Sequence, residues 1–295
     1  MVDYIFGNYL VECGRISKSK LYDILQKQDS ARAKIGLIAV SEDLMTLEQA
    51  EEVNRLQAIM DKRFGDIAVD KGYLTEGQVS ELLKLQGNVW LSFVQALIDE
   101  NVVSMEELEW VLYDFKVANG YSDEELEDLK SDEVDRIVPL LLPKEAEKFK
   151  DLICTVVRVM VRLIDRHVYV GRGAMVEGLP VEDMASQSLE GNDGFIDCFA
   201  ERDGGLLKAC SIFGQEDFPR LNMDALDAAG ELLNCVNGMY ASACSKEGRV
   251  LELMPPEYCM NAGPSVYEES GEDCVCRIPI FVGNKGLYFA VRDLG

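Results

Sequence analysis

Three polar residues with helical spacing are the best candidates for chemistry in this sequence. Asp227, Glu231 and Asn234 are separated by four and then three residues within the segment DALDAAGELLNCVNGMYAS. At about 100° per residue, these side chains and Gly238 fall within about 60° of arc on one helix face. The neutral amide on this face can orient a water molecule without repelling an anionic substrate.

The opposite face of the same helix is apolar, so this side is expected to pack against the protein. It comprises Leu226, Ala229, Leu233, Val236 and Tyr240. Gly238 extends the polar face, although glycine inside a helix costs about 0.5 to 1 kcal/mol relative to alanine. Close approach of another protein would account for that cost. The alternative interpretation is an exposed polar face without chemistry.

Other catalytic arrangements find no support in the sequence. The chain has one histidine, His167, and no Ser/His/Asp or Cys/His constellation. The Glu-x-x-Asn spacing is not specific by itself, because Glu51 and Asn54 repeat it elsewhere. The surrounding elements must therefore supply the specificity.

The elements around the polar helix predict an α+β domain. Apolar residues recur at three- and four-residue steps over about twenty residues from Lys144, which predicts an amphipathic helix. Apolar runs joined by glycine-containing turns predict two β-hairpins, 195–201 with 206–213 and 276–282 with 287–292. This order favours an antiparallel sheet covered by two long helices.

From Lys144 to Gly295, this order of elements resembles the CheX/CheC/FliY family of response-regulator phosphatases. The resemblance rests on the long first helix, a hairpin, the helix with the string GELLN, the segment LELMPPEY and a terminal hairpin. It implies that Glu231 contacts an invariant Lys of a CheY-like receiver and that Asn234 orients water onto the receiver's aspartyl phosphate. Asp227, Gly238 and Pro256 would support this motif.

The implied function is dephosphorylation of a phosphorylated CheY-like response regulator in chemotaxis or two-component signalling. The alternative is a non-catalytic adaptor or scaffold that binds receiver or motor proteins. For the phosphatase, no intrinsic cofactor is expected, because Mg²⁺ resides on the receiver and only an in-line water is missing. One site per chain is expected, since the first helix carries Arg158, Arg162 and Arg166 in place of a second Glu/Asn pair.

A homodimer is a further possible partner state. Members of the family often dimerise through the sheet, and the terminal hairpin is expected to leave a strand edge that must be paired or protected.

The N-terminal third carries an internal repeat with a period of 29 residues. The copies align on a glycine, a Ser or Thr ten residues later, and a glutamine: Gly7, Ser17 and Gln28; Gly36, Thr46 and Gln57; Gly65, Thr75 and Gln86. Each copy predicts two short helices, the second capped by the Ser or Thr. We predict a helical repeat domain over 1–130, an acidic, proline-containing linker over 131–143 and the second domain over 144–295.

The third copy, KRFGDIAVDKGYLTEGQVSELLKLQ, resembles the helical N-terminal domain of type II secretion ATPases (GspE/MshE). The MshE-type members bind cyclic di-GMP, so the resemblance implies a ligand contact at Arg63, Phe64 and Gly65. The first two copies lack the motif arginine. The alternative is that the repeated residues serve helix packing alone.

Composition narrows the classes of partner. With 53 Asp+Glu against 29 Lys+Arg, the formal net charge is −24, which would repel nucleic acid and anionic membranes. The longest apolar stretch, LICTVVRVMVRLI, contains two arginines, so neither a membrane span nor a signal peptide is predicted. Nine cysteines without a C-x-x-C pair favour reduced thiols in the cytoplasm.

Overall fold

The computed structural model describes residues 1–28, 32–60, 62–179, 183–191, 193–260 and 274–294. The chain divides into two compact units: Val2–Asp132, and Glu133–Gly295 together with Met1. Among the described residues, no helix has both the length and the apolar character needed to cross a membrane.

The first unit is built from helix pairs that follow the 29-residue repeat. Its helices are α1 Val2–Glu12, α2 Lys18–Gln28, α3 Ile35–Ser41, α4 Leu47–Gln57, α5 Phe64–Asp70, α6 Glu76–Lys84, α7 Val89–Asp99, α8 Met105–Asn119 and α9 Asp123–Lys130. Thr46 and Thr75 begin the second helix of their copies with capping boxes, in which the cap hydroxyl accepts from the third helical N–H, and Ser104 caps α8 in the same way.

The repeated glycines bring these helices close together. A methyl group at Gly65 would lie 2.8 Å from Val79 Cγ1, and one at Gly36 would lie 3.0 Å from the Phe64 ring. At Gly7 a methyl group would overlap Leu21 Cδ1. The absence of a side chain at these positions is therefore sufficiently explained by helix packing.

The segment expected as a linker, 131–143, differs from that expectation. It contains helix α10, Val134–Leu141, whose Ile137, Val138 and Leu141 side chains are buried. These residues follow an i, i+1, i+4 pattern that gives the short helix an apolar face packed on the helix that follows it. Because the region is rich in acidic residues, its sequence did not reveal this apolar face.

The second unit is an α+β domain, which confirms the predicted fold class. After α10 come a 3₁₀ segment, Lys144–Phe149, then α11 Lys150–Leu163, β1 Tyr169–Val170, β2 Ala174–Val176, β3 Met184–Gly191, β4 Phe195–Glu201, α12 Gly205–Gly214, α13 Met223–Lys246, β5 Leu251–Leu253, β6 Glu257–Cys259, β7 Val275–Val282 and β8 Lys285–Asp293. The antiparallel sheet has the order β1-β7-β8-β4-β3-β5; β2 also pairs with β7, and β6 with β3.

The first predicted hairpin is wrong. Its first strand is β4, but residues 206–213 form helix α12 rather than a strand. Gly204 adopts φ +80°, and the Glu201 carboxylate accepts hydrogen bonds from the N–H groups of Gly204 and Leu207 at the start of the helix. A short apolar run has the same composition in a buried helix and a buried strand, so periodicity does not distinguish them.

The terminal hairpin of β7 and β8 forms as predicted, but it leaves no free edge. Strand β8 lies between β7 and β4, and the other side of β7 pairs with β1 and β2. The strands at both margins of the sheet are two or three residues long, so they offer little backbone for pairing with another chain. Within the described residues, the strand edge on which the expectation of a homodimer rested is thus paired inside the chain, and the homodimer itself stays a prediction.

Helix α13 packs on the part of the sheet formed by β3 and β4. Along β4, Phe195 and Asp197 face this helix, with the Phe195 ring at 5.8 Å from that of Tyr240. The alternate residues Cys198 and Ala200 join a separate apolar cluster, as strand geometry requires. The sheet thus provides the surface against which α13 is positioned.

Candidate functional site

Helix α13 presents its polar residues on one side and its apolar residues to the core. Its first turn is capped by Asn222, whose side-chain oxygen accepts from Ala225 N at 2.9 Å. Asp227 and Glu231 are exposed, and Asn234 is half-buried. Within the described part of the chain Glu231 has no ion-pair partner, so its carboxylate is available to a cation on another molecule. The buried side comprises Leu226, Ala229, Leu233, Val236 and Tyr240.

A second wall of the site comes from the segment between β5 and β6. A methyl group at Gly230 would lie 2.6 Å from Tyr258 Oη and 3.0 Å from Pro256 Cβ, so this glycine allows the segment to lie directly on α13. The Tyr258 hydroxyl donates to Asp227 Oδ1 at 2.9 Å. Pro256 and Asp227 are therefore brought to the same side of the helix.

Tyr258 remains a neutral hydrogen-bond donor over the ordinary pH range. Partial burial, the hydrogen bond to Asp227 and the nearby Glu231 charge together raise the pKa of Tyr258 to about 12. The hydroxyl thus fixes one carboxylate oxygen of Asp227 and leaves the Glu231 carboxylate unoccupied.

The side-chain amide of Asn234 is hydrogen-bonded to a residue of the sheet. Gln187 on β3 donates from Nε2 to Asn234 Oδ1 at 2.5 Å and to the backbone oxygen of Met254 at 2.7 Å. Asn237, one turn further along α13, donates from Nδ2 to Gln187 Oε1 at 2.9 Å and to Asp197 Oδ1 at 3.0 Å. These polar side chains form a continuous chain beneath the site.

Asp197 is the acidic member of this hydrogen-bonded set, and its pKa is strongly shifted. The side chain is completely buried, and burial raises the pKa of the carboxyl to about 7, while the hydrogen bond from Asn237 opposes the shift. Among the residues that the structure describes, Asp197 Oδ2 and Asn237 Oδ1 have no hydrogen-bond partner. A neutral carboxylic acid is tolerated here at and below pH 7 because it avoids a buried negative charge.

Beside the polar face, a groove of about 680 Å³ runs between α11 and the C-terminal half of α13. Gly238, Met239 and Arg162 line it, and Arg162 Nη2 lies 3.2 Å from Met239 Sδ. A methyl group at Gly238 would meet nothing within 4 Å, so packing inside the unit does not require this glycine. Arg158, which also lies on α11, forms an ion pair with Asp135.

The three residues of the first unit that are expected to contact cyclic di-GMP lie at the start of α5. Arg63 is the residue before the helix and makes no side-chain cap. Phe64 is buried, and Gly65 lies against Val79. The adjacent cavity, about 410 Å³, is lined by Lys62 and by three carboxylates, at Asp66, Asp70 and Glu76, and this excess of negative charge disfavours a phosphate.

Comparison with solved structures finds chemotaxis proteins that are similar to about half of this chain. The chemotaxis protein CheX from Desulfovibrio desulfuricans is 15% identical, with a TM-score of 0.42 over 50% of this chain and 99% of its own. The CheX–CheY–BeF₃–Mg²⁺ complex from Borrelia burgdorferi is 10% identical, with a TM-score of 0.41 over 49% and 96%. Thermotoga maritima FliY is 14% identical, with a TM-score of 0.38 over 51% and 89%.

No protein-family model and no curated protein matches the chain. These structural neighbours cover about half of it, and they do not show the resemblance of the first unit to secretion ATPases.

The structure also shows the state of the cysteines and of the potential metal ligands. All nine cysteines, each within the described ranges, are free thiols. Across those same ranges, no cluster of three or more His, Cys, Asp or Glu side chains is arranged to hold a metal ion.

Sequence reasoning missed three residues of the site: Gln187, Gly230 and Tyr258. Gly230 carried a detectable signal, since a glycine in the middle of a helix marks close approach of another segment. Gln187 and Tyr258 carried none, because their positions depend on pairing between β3 and distant strands.

Proposed function

We propose that the second unit hydrolyses the aspartyl phosphate of a CheY-like receiver domain. Asn234 orients the attacking water, and Glu231 forms an ion pair with a lysine of the receiver. The observation that carries this proposal is the pairing of a fixed amide with an exposed, unpaired carboxylate one turn away on the same helix. Such a surface can act on a substrate that supplies its own electrophile.

In the reaction, the water oxygen forms a bond to phosphorus as the bond between phosphorus and the aspartyl oxygen breaks. The receiver regains a carboxylate, and both water protons leave on inorganic phosphate as H₂PO₄⁻. Mg²⁺ bound to the receiver would neutralise the phosphoryl charge. Asn234 Oδ1 retains one lone pair beyond the hydrogen bond from Gln187, and this lone pair can accept a proton of the water.

The walls of the site support docking by a folded partner. Tyr258 and Pro256 border Asp227 and Gly230, while Gly238 leaves the helix backbone open further along. A receiver could therefore approach α13 closely along its polar side. Glu231 would then act mainly in docking and Asn234 mainly in turnover.

The test measures phosphate release from phosphorylated receivers encoded near this protein in its genome. We expect Asn234→Ala to lower kcat on the order of 10²-fold with little change in KM, because a positioned water is lost. Glu231→Ala should raise KM as well as lower kcat. Asn54→Ala, on exposed α4 with the same Glu-x-x-Asn spacing, is the matched control and should leave both constants unchanged.

Equal rates for Asn234→Ala and the wild type would refute the catalytic assignment. If the receiver bound without any turnover, the second unit would instead be a receiver-binding adaptor.

A further inference from the structure

A continuous set of buried polar side chains lies between the sheet and α13. Gln187 is 1% exposed, and Asp197 and Asn237 are 0% exposed. Gln187 and Asp197 are direct cross-strand partners on β3 and β4, and both face the helix. Burying three polar side chains in a core is unfavourable unless they are hydrogen-bonded, so a set that connects to Asn234 through Gln187 requires an explanation.

The orientation of each amide in this set follows from one backbone group. The Met254 carbonyl can only accept, so the Gln187 atom that faces it at 2.7 Å must be the NH₂ group. The other proton of that group points to the Asn234 side chain at 2.5 Å, so the Asn234 atom there must be Oδ1. The orientation of the Asn234 amide is thus set by hydrogen bonding rather than left to rotation.

The far side of Gln187 is held in the same way. Its Oε1 accepts from Asn237 Nδ2, whose second proton goes to Asp197 Oδ1. Gln187 therefore has both ends of its amide engaged and cannot turn over without losing hydrogen bonds at Met254 and Asn237. An amide fixed at both ends is a rigid support for a third group.

We propose that Gln187 is a positioning residue that holds the Asn234 amide in its working orientation, an inference that rests on the proposed function. With Oδ1 directed toward Gln187, the two Nδ2 protons of Asn234 point away from the sheet and toward the substrate. The amide can then accept a water proton at Oδ1 and donate to a phosphoryl oxygen at Nδ2. The reversed amide would place its NH₂ group where the water proton must be accepted.

Gln187 also links Asn234 to the second wall of the site. Met254 donates its N–H to the Ser188 oxygen at 2.9 Å and accepts from Gln187, so both of its backbone groups bind β3 or its side chain. Residues 254–256 connect β5 to β6, which pair with opposite ends of β3. Gln187 thus secures the segment that leads to Pro256 and Tyr258 as well as the amide.

The test compares Gln187→Met and Gln187→Glu with the wild type. Methionine keeps the volume but removes every hydrogen bond, and glutamic acid, which burial favours in its neutral form, keeps the shape but offers one donor proton in place of two. We expect kcat for receiver dephosphorylation to fall about ten- to a hundredfold in both variants, with KM within about twofold of wild type. Gln95→Met, a buried glutamine in α7 of the other unit, is the control and should change neither constant.

A second readout does not depend on activity. The side-chain amide resonances of Asn234, assigned by their loss in Asn234→Ala, should report one ordered conformation in the wild type. In folded Gln187→Met they should shift and broaden toward a freely rotating amide. An equally ordered, unshifted Asn234 amide in Gln187→Met would overturn the inference, whatever the rates.

The two readouts separate the inference from the function on which it rests. A wild type that releases no phosphate refutes the proposed function, while the resonances still decide whether Gln187 orders Asn234. If the wild type is active and both Gln187 variants have the same kcat as the wild type, the positioning role is refuted. A large rise in KM at constant kcat would also refute it, because it would show that Gln187 acts through docking.

Discussion

The buried carboxyl of Asp197 makes a prediction at the scale of one residue. Its pKa is about 7 in the folded protein against an ordinary value of 3.8, so the folded state retains a proton between pH 4 and 7 that the unfolded chain releases. The free energy of unfolding must therefore fall as pH rises through this range. Below about pH 4 both states are protonated, and the penalty vanishes.

We expect Asp197→Asn to remove this loss of stability. From pH 4 to pH 8, the wild type should lose on the order of 4 kcal/mol more than the variant in urea unfolding, since each pKa unit corresponds to about 1.4 kcal/mol. Asparagine can still accept the hydrogen bond from Asn237. Comparing this loss of stability between the two proteins cancels the contribution of the other carboxylates. If the losses differed by less than about 1 kcal/mol, a raised pKa of Asp197 would be contradicted.

At the same scale, helical spacing predicted the shared face of Asp227, Glu231 and Asn234 because residues three and four apart are neighbours on any helix. The support of Asn234 by Gln187 was not predictable. It joins residues 47 positions apart and depends on the register between β3 and β4. A glutamine inside a strand gives no sign, in sequence, of the group to which it will donate.

At the scale of elements, local patterns predicted helices better than strands. The capped helix pairs of the repeat have short-range signals in glycine, serine and threonine, and α6 begins after its cap Thr75 as predicted. Helix α12 was mistaken for a strand because its apolar run is brief and follows a turn-like Arg-Asp-Gly-Gly segment. Its packing on β4 and β8 decides the outcome, and this packing is not local.

Gly238 provides a prediction for helix α13. Since a methyl group there meets nothing within 4 Å, Gly238→Ala should stabilise the protein by about 0.5 to 1 kcal/mol through helix propensity. If a receiver approaches this stretch of the helix closely, the same change should raise KM several-fold. Chemical denaturation and receiver titration measure the two effects separately.

The matched control for Gly238 is Gly77→Ala in α6. Gly77 is exposed, and a methyl group there would have Thr75 Oγ1, at 3.9 Å, as its nearest neighbour. Because Gly77 lies in the first turn of α6, this change should give a smaller gain in stability, with no change in KM. Unaltered KM in Gly238→Ala as well would show that the receiver does not contact that part of α13.

At the scale of the whole molecule, the chain contains two separately packed units. Phe6, Phe93 and Phe115 are fully buried in the first, and Phe199 and Phe289 are fully buried in the second. The two-domain division followed from the change from a 29-residue repeat to mixed elements. The first unit ends at Asp132, close to the predicted residue 130, but the second begins at Glu133 rather than at 144, because the acidic segment hides the apolar face of α10.

We therefore expect calorimetry to resolve two unfolding transitions, each assignable by one matched substitution. Leu97→Ala in α7 and Leu206→Ala in α12 each remove a completely buried leucine, which costs about 2 to 5 kcal/mol. Leu97→Ala should lower only the transition of the first unit and leave receiver dephosphorylation unchanged at temperatures below it. Leu206→Ala should lower only the other transition and bring the loss of activity to the same lower temperature. If either variant moved both transitions together, the units would unfold as one cooperative body, and the stability of the site would depend on the helical repeats.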